Sequence, residues 1–192
     1  MKTKTFLFAI ALAAAATNAS AEPWRVLPGS TLGFSSSYEG EAFEGNFSKF
    51  TPTIEFDPRQ LASARFDVAI GLASADTKND ERDEALRGTG FFNSAKTPQA
   101  RFLATKFRAL GGNRYAADGA LTLNGISKPV TMEFTWTPGA KTVLIGSATV
   151  RRLDFNVGVG EWADTSDLPN EVKIKTRLLL APPKGMPAAK KP

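Results

Sequence analysis

Apolar and polar residues alternate along most of the chain from Ser30 onward. "TLGFSSSY" puts Leu32, Phe34, Ser36 and Tyr38 on one side. "ARFDVAIGLAS" sets Ala64, Phe66, Val68, Ile70 and Leu72 against Arg65, Asp67 and Gly71. "VTMEFTW" opposes Val130, Met132, Phe134 and Trp136 to Thr131, Glu133 and Thr135, and "EVKIKTRLLL" opposes Val172, Ile174 and Thr176 to Lys173, Lys175 and Arg177. "TPTIEFDP", "YAADGALTL" and "KTVLIGSATV" follow the same rhythm. A period of two marks strands with one buried and one wet face, and hence an antiparallel sheet. Turns fall between the runs at "FDPRQ", "LGGNRY", "LNGIS" and "TPGAK", which predicts about eight strands joined mostly by short links.

One segment breaks the period. "NDERDEALRG" offers Asn79 or Asp80 as a cap, Glu81, Asp83 and Glu84 in a first turn, and Arg87 before Gly88. That charge order suits a helix dipole and predicts a short surface helix with its carboxylates in water. Phe91 and Phe92 follow at once.

The ends carry different signals. Lys2 and Lys4 precede an apolar stretch from Phe6 to Ala16, and "ASA" at residues 19–21 offers a cleavage site. The stretch is too short to cross a bilayer and reads as a secretory signal peptide cut after Ala21. The expected domains are therefore a signal peptide at 1–21, one barrel domain at 22–181 and a disordered Pro/Ala/Lys tail at 182–192. No later segment is long enough to span a membrane.

Composition narrows the chemistry. The chain has no cysteine, which for an exported protein leans toward a bacterial periplasm. It also has no histidine, which excludes a Ser-His-Asp triad, a Cys-His pair and imidazole metal ligation. Removing Lys2 and Lys4 with the signal lowers the net charge from +5 to +3, and no basic stripe interleaved with aromatics points to nucleic acid. No cofactor is expected, and no metal: Asp164 and Asp167 lie in a turn-rich loop whose spacing does not match an EF-hand.

An antiparallel sheet with one apolar face either packs against a second sheet or curls into a barrel, and periodicity leaves both open. A barrel of this size encloses packed side chains or one small ligand. Two of the 14 phenylalanines, Phe6 and Phe8, lie in the signal, and many of the other twelve fall on the inward parity, beside small residues such as Ser36, Ala64, Ser147 and Thr176, which hints at space between rings.

Four blocks, "GNFSKFTPTIEFDPRQLASA", "RDEALRGTGFFNSAKTPQARF", "ADGALTLNGISKPVTM" and "RLDFNVGVGEWADTSDLPNEVKIKTRLLL", resemble in order and spacing the YceI-like family of exported polyisoprenoid-binding proteins. The third shows the family's run as Gly119, Leu121, Thr122, Gly125, Pro129 and Val130, and the fourth, with Trp162 and Asp164, is similar to one branch. The resemblance covers Trp24 to Leu180. It implies an all-β, eight-stranded antiparallel lipocalin-like barrel with a short helix near one end, enclosing an elongated apolar pocket. The implied ligand is a polyisoprenoid or other long-chain or fatty lipid, sometimes with a quinone-like or amide head.

Under that resemblance the candidate ligand-binding residues are Phe34, Phe47, Phe66, Ile70, Arg82, Phe91, Phe92, Phe102, Phe134, Trp136, Phe155 and Trp162. The helix would then lie across one end of the barrel, with Phe91 and Phe92 at the rim and Arg82, Asp83 and Arg87 near the ligand's exit. The alternative is a solvated surface helix with the two rings plugging the core. The expected role is a periplasmic lipid binder, not an enzyme, serving transport, storage or stress response. Pairing into a homodimer is left open. Two other classes stand beside it. An interaction module would have a solid core and use Trp162 as an anchor. A carboxylate-based lipid-modifying enzyme would need two acids held together, and Asp83 and Glu84, adjacent on a helix, point apart.

Overall fold

The computed structural model describes residues 22–183. The expected signal peptide and residues 184–192 of the expected tail lie outside the described residues. Pro183, within that tail, is buried.

Among the described residues, eleven strands and one α-helix follow in chain order: β1 Arg25–Val26, β2 Thr31–Tyr38, β3 Glu41–Phe47, β4 Phe50–Glu55, β5 Arg65–Gly71, β6 Ala75–Asp76, α1 Asp80–Arg87, β7 Gln99–Gly111, β8 Arg114–Leu123, β9 Ile126–Thr137, β10 Thr142–Arg151 and β11 Glu171–Ala181. All pair antiparallel, in the order β4-β5-β7-β8-β9-β10-β11-β2-β3-β6, with β1 on β11. Eleven strands stand where about eight are expected, and β7, the longest, falls in none of the expected alternating runs. β1 and β6 have two residues each, and β3 and β4 are one run of chain broken only at Ser48 and Lys49.

That bent run decides between sandwich and barrel. Its first half pairs with β2 and its second half with β5, so the sheet comes round on itself through covalent continuity. Each half leaves a gap on its other side, and a short element fills it. Beside β4, Trp24 donates its backbone N–H to Ile54 O at 2.8 Å while Arg25 and Val26 pair with β11. Beside β3, β6 pairs with Asn46 and Phe47, and Gly71 N donates to Lys49 O at 2.8 Å. Unpaired edges, a liability for a sheet protein, are thereby largely covered.

The interior follows the alternation. Phe66, Ala104, Phe134, Trp136, Leu144 and Leu180 are buried, and Lys173, Lys175 and Arg177 are exposed. One parity differs from expectation. Gly146 faces in across from Thr176, whereas Ser147 shares the outer face with the exposed Ile145. Outside, carboxylates bind arginines on the same or the next strand: Arg101 Nε donates to Asp67 Oδ1 at 2.7 Å and Arg108 Nε to Asp118 Oδ2 at 2.8 Å.

The barrel core divides into two parts. Around one end, Phe56 sits among Phe66, Phe107, Tyr115, Phe134 and Trp136 with ring centroids 4.8–6.0 Å apart, at the spacing and tilts favoured by aromatic quadrupoles. Trp24 closes this end, its ring edge-on to Trp136 at 5.0 Å and its indole N–H donating to Phe56 O at 2.9 Å. A second buried cluster, including Leu32, Phe34, Phe47, Leu86, Phe92 and Phe155, gathers toward α1.

The helix forms where its charges place it. Asn79 is the cap, its Oδ1 accepting from Arg82 N at 2.8 Å. Leu86 turns into the barrel. Asp83 does not stay in water as expected: it is buried and accepts from Thr77 N at 2.8 Å and from Thr77 Oγ1 at 2.7 Å. The carboxylate pins the helix to the chain entering it.

Candidate ligand cavity

Between the aromatic end and the helix the barrel is hollow. The cavity has a volume of about 190 Å³, more than ten times the roughly 10–15 Å³ that one water molecule needs. Every long strand contributes to its wall. Space survives because small inward residues, Ala100, Gly146 and Ala148, lie among large ones. Gly45 acts differently: a Cβ there would fall 2.6 Å from Phe34 Cε1, so its bareness lets that ring lie against the wall.

Of the twelve expected site residues, Phe34, Phe47, Phe66, Ile70, Phe91, Phe92 and Phe102 line this cavity. The other five stand elsewhere. Phe134 and Trp136 face inward but belong to the aromatic end, packed on Phe56. Phe155, in the loop after β10, is buried without reaching the cavity wall. Trp162 lies over the rim, 5.6 Å from the Phe91 ring and 5.8 Å from Tyr38. Arg82 stays outside, its guanidinium 4.4 Å above the ring of Phe43, which itself forms part of the wall. Asp83 and Arg87 do not reach the cavity either; Arg87 Nε donates to Ala73 O at 3.3 Å.

The helix end is closed by two loops, residues 88–98 and 152–170, and two polar residues hold them. Asn124, at φ +50° in the tight β8–β9 hairpin, donates its Nδ2 to Phe91 O at 2.8 Å and Phe155 O at 3.2 Å. Thr97 Oγ1 donates to the same side chain's Oδ1 at 3.0 Å. Gly158 N donates to Gly90 O at 2.8 Å and joins the loops directly.

The second is Arg152, 3% exposed, to which no carboxylate bonds among the described residues. Its Nε donates to Pro169 O at 3.1 Å, Nη1 to Val157 O at 3.0 Å and Gly158 O, and Nη2 to Trp162 O and Leu168 O, both at 2.7 Å, with Asp164 O at 3.4 Å. Six carbonyl dipoles thus surround one cation and draw the loop around it. Burial pushes the guanidinium below its ordinary pKa, yet arginine stays charged in proteins. Its five N–H groups are all occupied.

Residues 24–180 match the YceI-like domain. The chain belongs to the YceI-like family. A UPF0312 protein of Yersinia pestis (strain Pestoides F) is 37% identical over 120 residues, which span 59% of this chain and 62% of the relative. Protein YceI of Escherichia coli O6:H1 is 43% identical over 89 residues, 46% of each chain. The chain therefore spans less than two thirds of the length of these curated relatives. Among solved structures, Burkholderia cenocepacia BcnA superposes with a TM-score of 0.76 at 33% identity, covering 79% of this chain and 96% of that one. A polyisoprenoid-binding domain from Saccharophagus degradans, implicated in plant cell wall breakdown, shares the fold at a TM-score of 0.64 and 14% identity, covering 84% and 98%.

The YceI-like barrel here holds no group of three or more His, Cys, Asp or Glu placed to bind a metal among its described residues. No helix among them is long and apolar enough to cross a membrane.

Proposed function

We propose that the protein binds a long-chain lipid, of the polyisoprenoid type or a comparable fatty chain, inside the barrel. The carrying observation is the hollow itself, walled by apolar side chains from every long strand and stopped at one end by aromatic rings. A guest's tail would lie along the axis with its tip toward Phe66 and its head toward α1. Each methylene taken from water contributes about 0.8 kcal/mol, so roughly a dozen give near 10 kcal/mol before the costs of immobilisation. The polyisoprenoid-binding neighbour from Saccharophagus degradans supports the same reading. Binding rather than catalysis is what such walls do, since they bring no acid–base pair to the guest.

The signal-peptide pattern adds a place. We infer that the protein works in the periplasm as a carrier or store.

The test is extraction of protein purified from its native host in organic solvent, followed by mass spectrometry. We expect a near-stoichiometric long-chain lipid from the wild type and a strongly reduced yield from Ala148→Phe, which fills the cavity without touching either closing loop's bonds. A lipid-free extract, together with no uptake of an added long-chain lipid, would overturn the reading and favour an interaction module.

A further inference from the structure

One polar atom in the cavity wall has no partner. Ser36 Oγ is buried and is, among the described residues, the single buried side-chain nitrogen or oxygen that makes no hydrogen bond. The other polar side chains around the cavity are accounted for. Thr176 Oγ1 donates to Thr31 O at 2.9 Å, Ser147 projects to the outer face, and all the N–H groups of Arg152 go to loop carbonyls. A buried hydroxyl without a partner carries a desolvation cost, and such groups in native structures call for an explanation.

The position of Ser36 is informative. Its neighbour across β3 is Phe43, beneath Arg82 of α1, and Ser35 pairs with Lys173, which places Ser36 level with Val172 on β11. Phe43 and Val172 both line the cavity. The hydroxyl therefore sits at the helix end, opposite the aromatic end. Water entering an empty cavity can satisfy it, and a lipid that displaces that water must supply the bond itself or lose affinity.

We propose that Ser36 is the head-group anchor of the cavity and selects lipids carrying one uncharged oxygen, a carbonyl or hydroxyl, at the end of the chain. The inference rests on the lipid-binding reading above. The oxygen is uncharged because nothing at that depth neutralises an anion: Arg82 lies outside the Phe43 ring and Arg152 has no free donor. A carboxylate or phosphate there would keep its desolvation cost without an ion pair.

The experiment equilibrates the full chain, stripped of lipid, with an equimolar mixture of hexadecanamide, heptadecane and hexadecanoate at pH 8, and quantifies what is bound. Wild type should prefer the amide to the alkane, and Ser36→Ala should lower that ratio about fivefold to tenfold, the worth of one hydrogen bond. Ser36→Thr, which keeps the hydroxyl, should restore most of it, separating anchoring from general packing. Effects on the tail cancel in the ratio. An amide-to-alkane ratio unchanged in Ser36→Ala overturns the anchor, and preference for hexadecanoate over the amide overturns the uncharged head. If wild type takes up none of the three, the lipid-binding reading falls with it.

Discussion

The ring of Phe34 lies over the backbone of Gly45, its cross-strand partner in the β2–β3 ladder. Any side chain at 45 would meet that ring and also Thr77 Cγ2, 2.9 Å from an added Cβ. Gly45→Ala should therefore cost about 1–3 kcal/mol through overpacking and push Phe34 into the cavity. Urea denaturation and lipid uptake should fall together. A variant as stable as wild type with full capacity would show that the strands part freely at this point.

Asn124 combines two tasks that one substitution separates. Asn124→Gly keeps the positive-φ turn but removes the amide that holds Phe91, Thr97 and Phe155. We expect the hairpin to persist and stability to fall by about 1 kcal/mol for each bond lost. Amide exchange should quicken across residues 90–97 and 155–159 and lipid release should accelerate. Unchanged exchange in both loops would contradict a tying role.

Arg152→Lys retains the charge but brings three N–H donors to six carbonyls. We expect a loss of about 3 kcal/mol or more, since several buried carbonyls are left without donors. Breaking the exposed Arg114–Glu133 pair, 3.3 Å apart, should cost about 1 kcal/mol or less. Thermal melts of the two variants side by side decide the ranking.

Acid should unfold the protein from the outer face. The Arg108 guanidinium, and then the Thr131 hydroxyl, hold the Asp118 carboxyl down from 3.8 to about 2. A depressed carboxyl stabilises the fold fully above its unfolded-state value, and that contribution disappears as pH falls from about 4 to about 2. The pair is partly exposed, so screening limits it to about 1 kcal/mol or less. Asp57, beside Arg59, and Asp67, beside Arg101 and Arg65, shift the same way. With no histidine and no cysteine, no side chain has an ordinary pKa between about 5 and 8. Urea midpoints should stay flat over that range and fall below about pH 4, less steeply in Asp118→Asn. A transition near pH 6.5 would disprove this account.

Much of this was legible in the chain. Alternation assigned the inward faces of β5, β9 and β11, and the charge order located α1 within a residue. Alternation reports a face but not a height. Phe134 and Trp136 are inward as expected, yet the register places them at the stopped end of the barrel, away from the hollow. The ties at Asn124 and Arg152 join residues far apart in sequence or lie in loops without a period. In "RRLD" an arginine reads as a wet surface residue, and only the folded loop shows six carbonyls turned toward it. Ser36 was visible as a small inward residue, but its lack of a partner depends on everything packed around it.

The seam at Trp24 has a bearing on how a ribosome delivers this chain. Strand β1 is hydrogen-bonded to β11, which also fills the place between β10 and β2. The ring therefore cannot shut until residue 181 has emerged, and a nascent polypeptide stopped before β11 exposes two bare ladders at once. Premature termination near the 3′ end of the message should thus yield a sticky, protease-sensitive product rather than a shortened barrel.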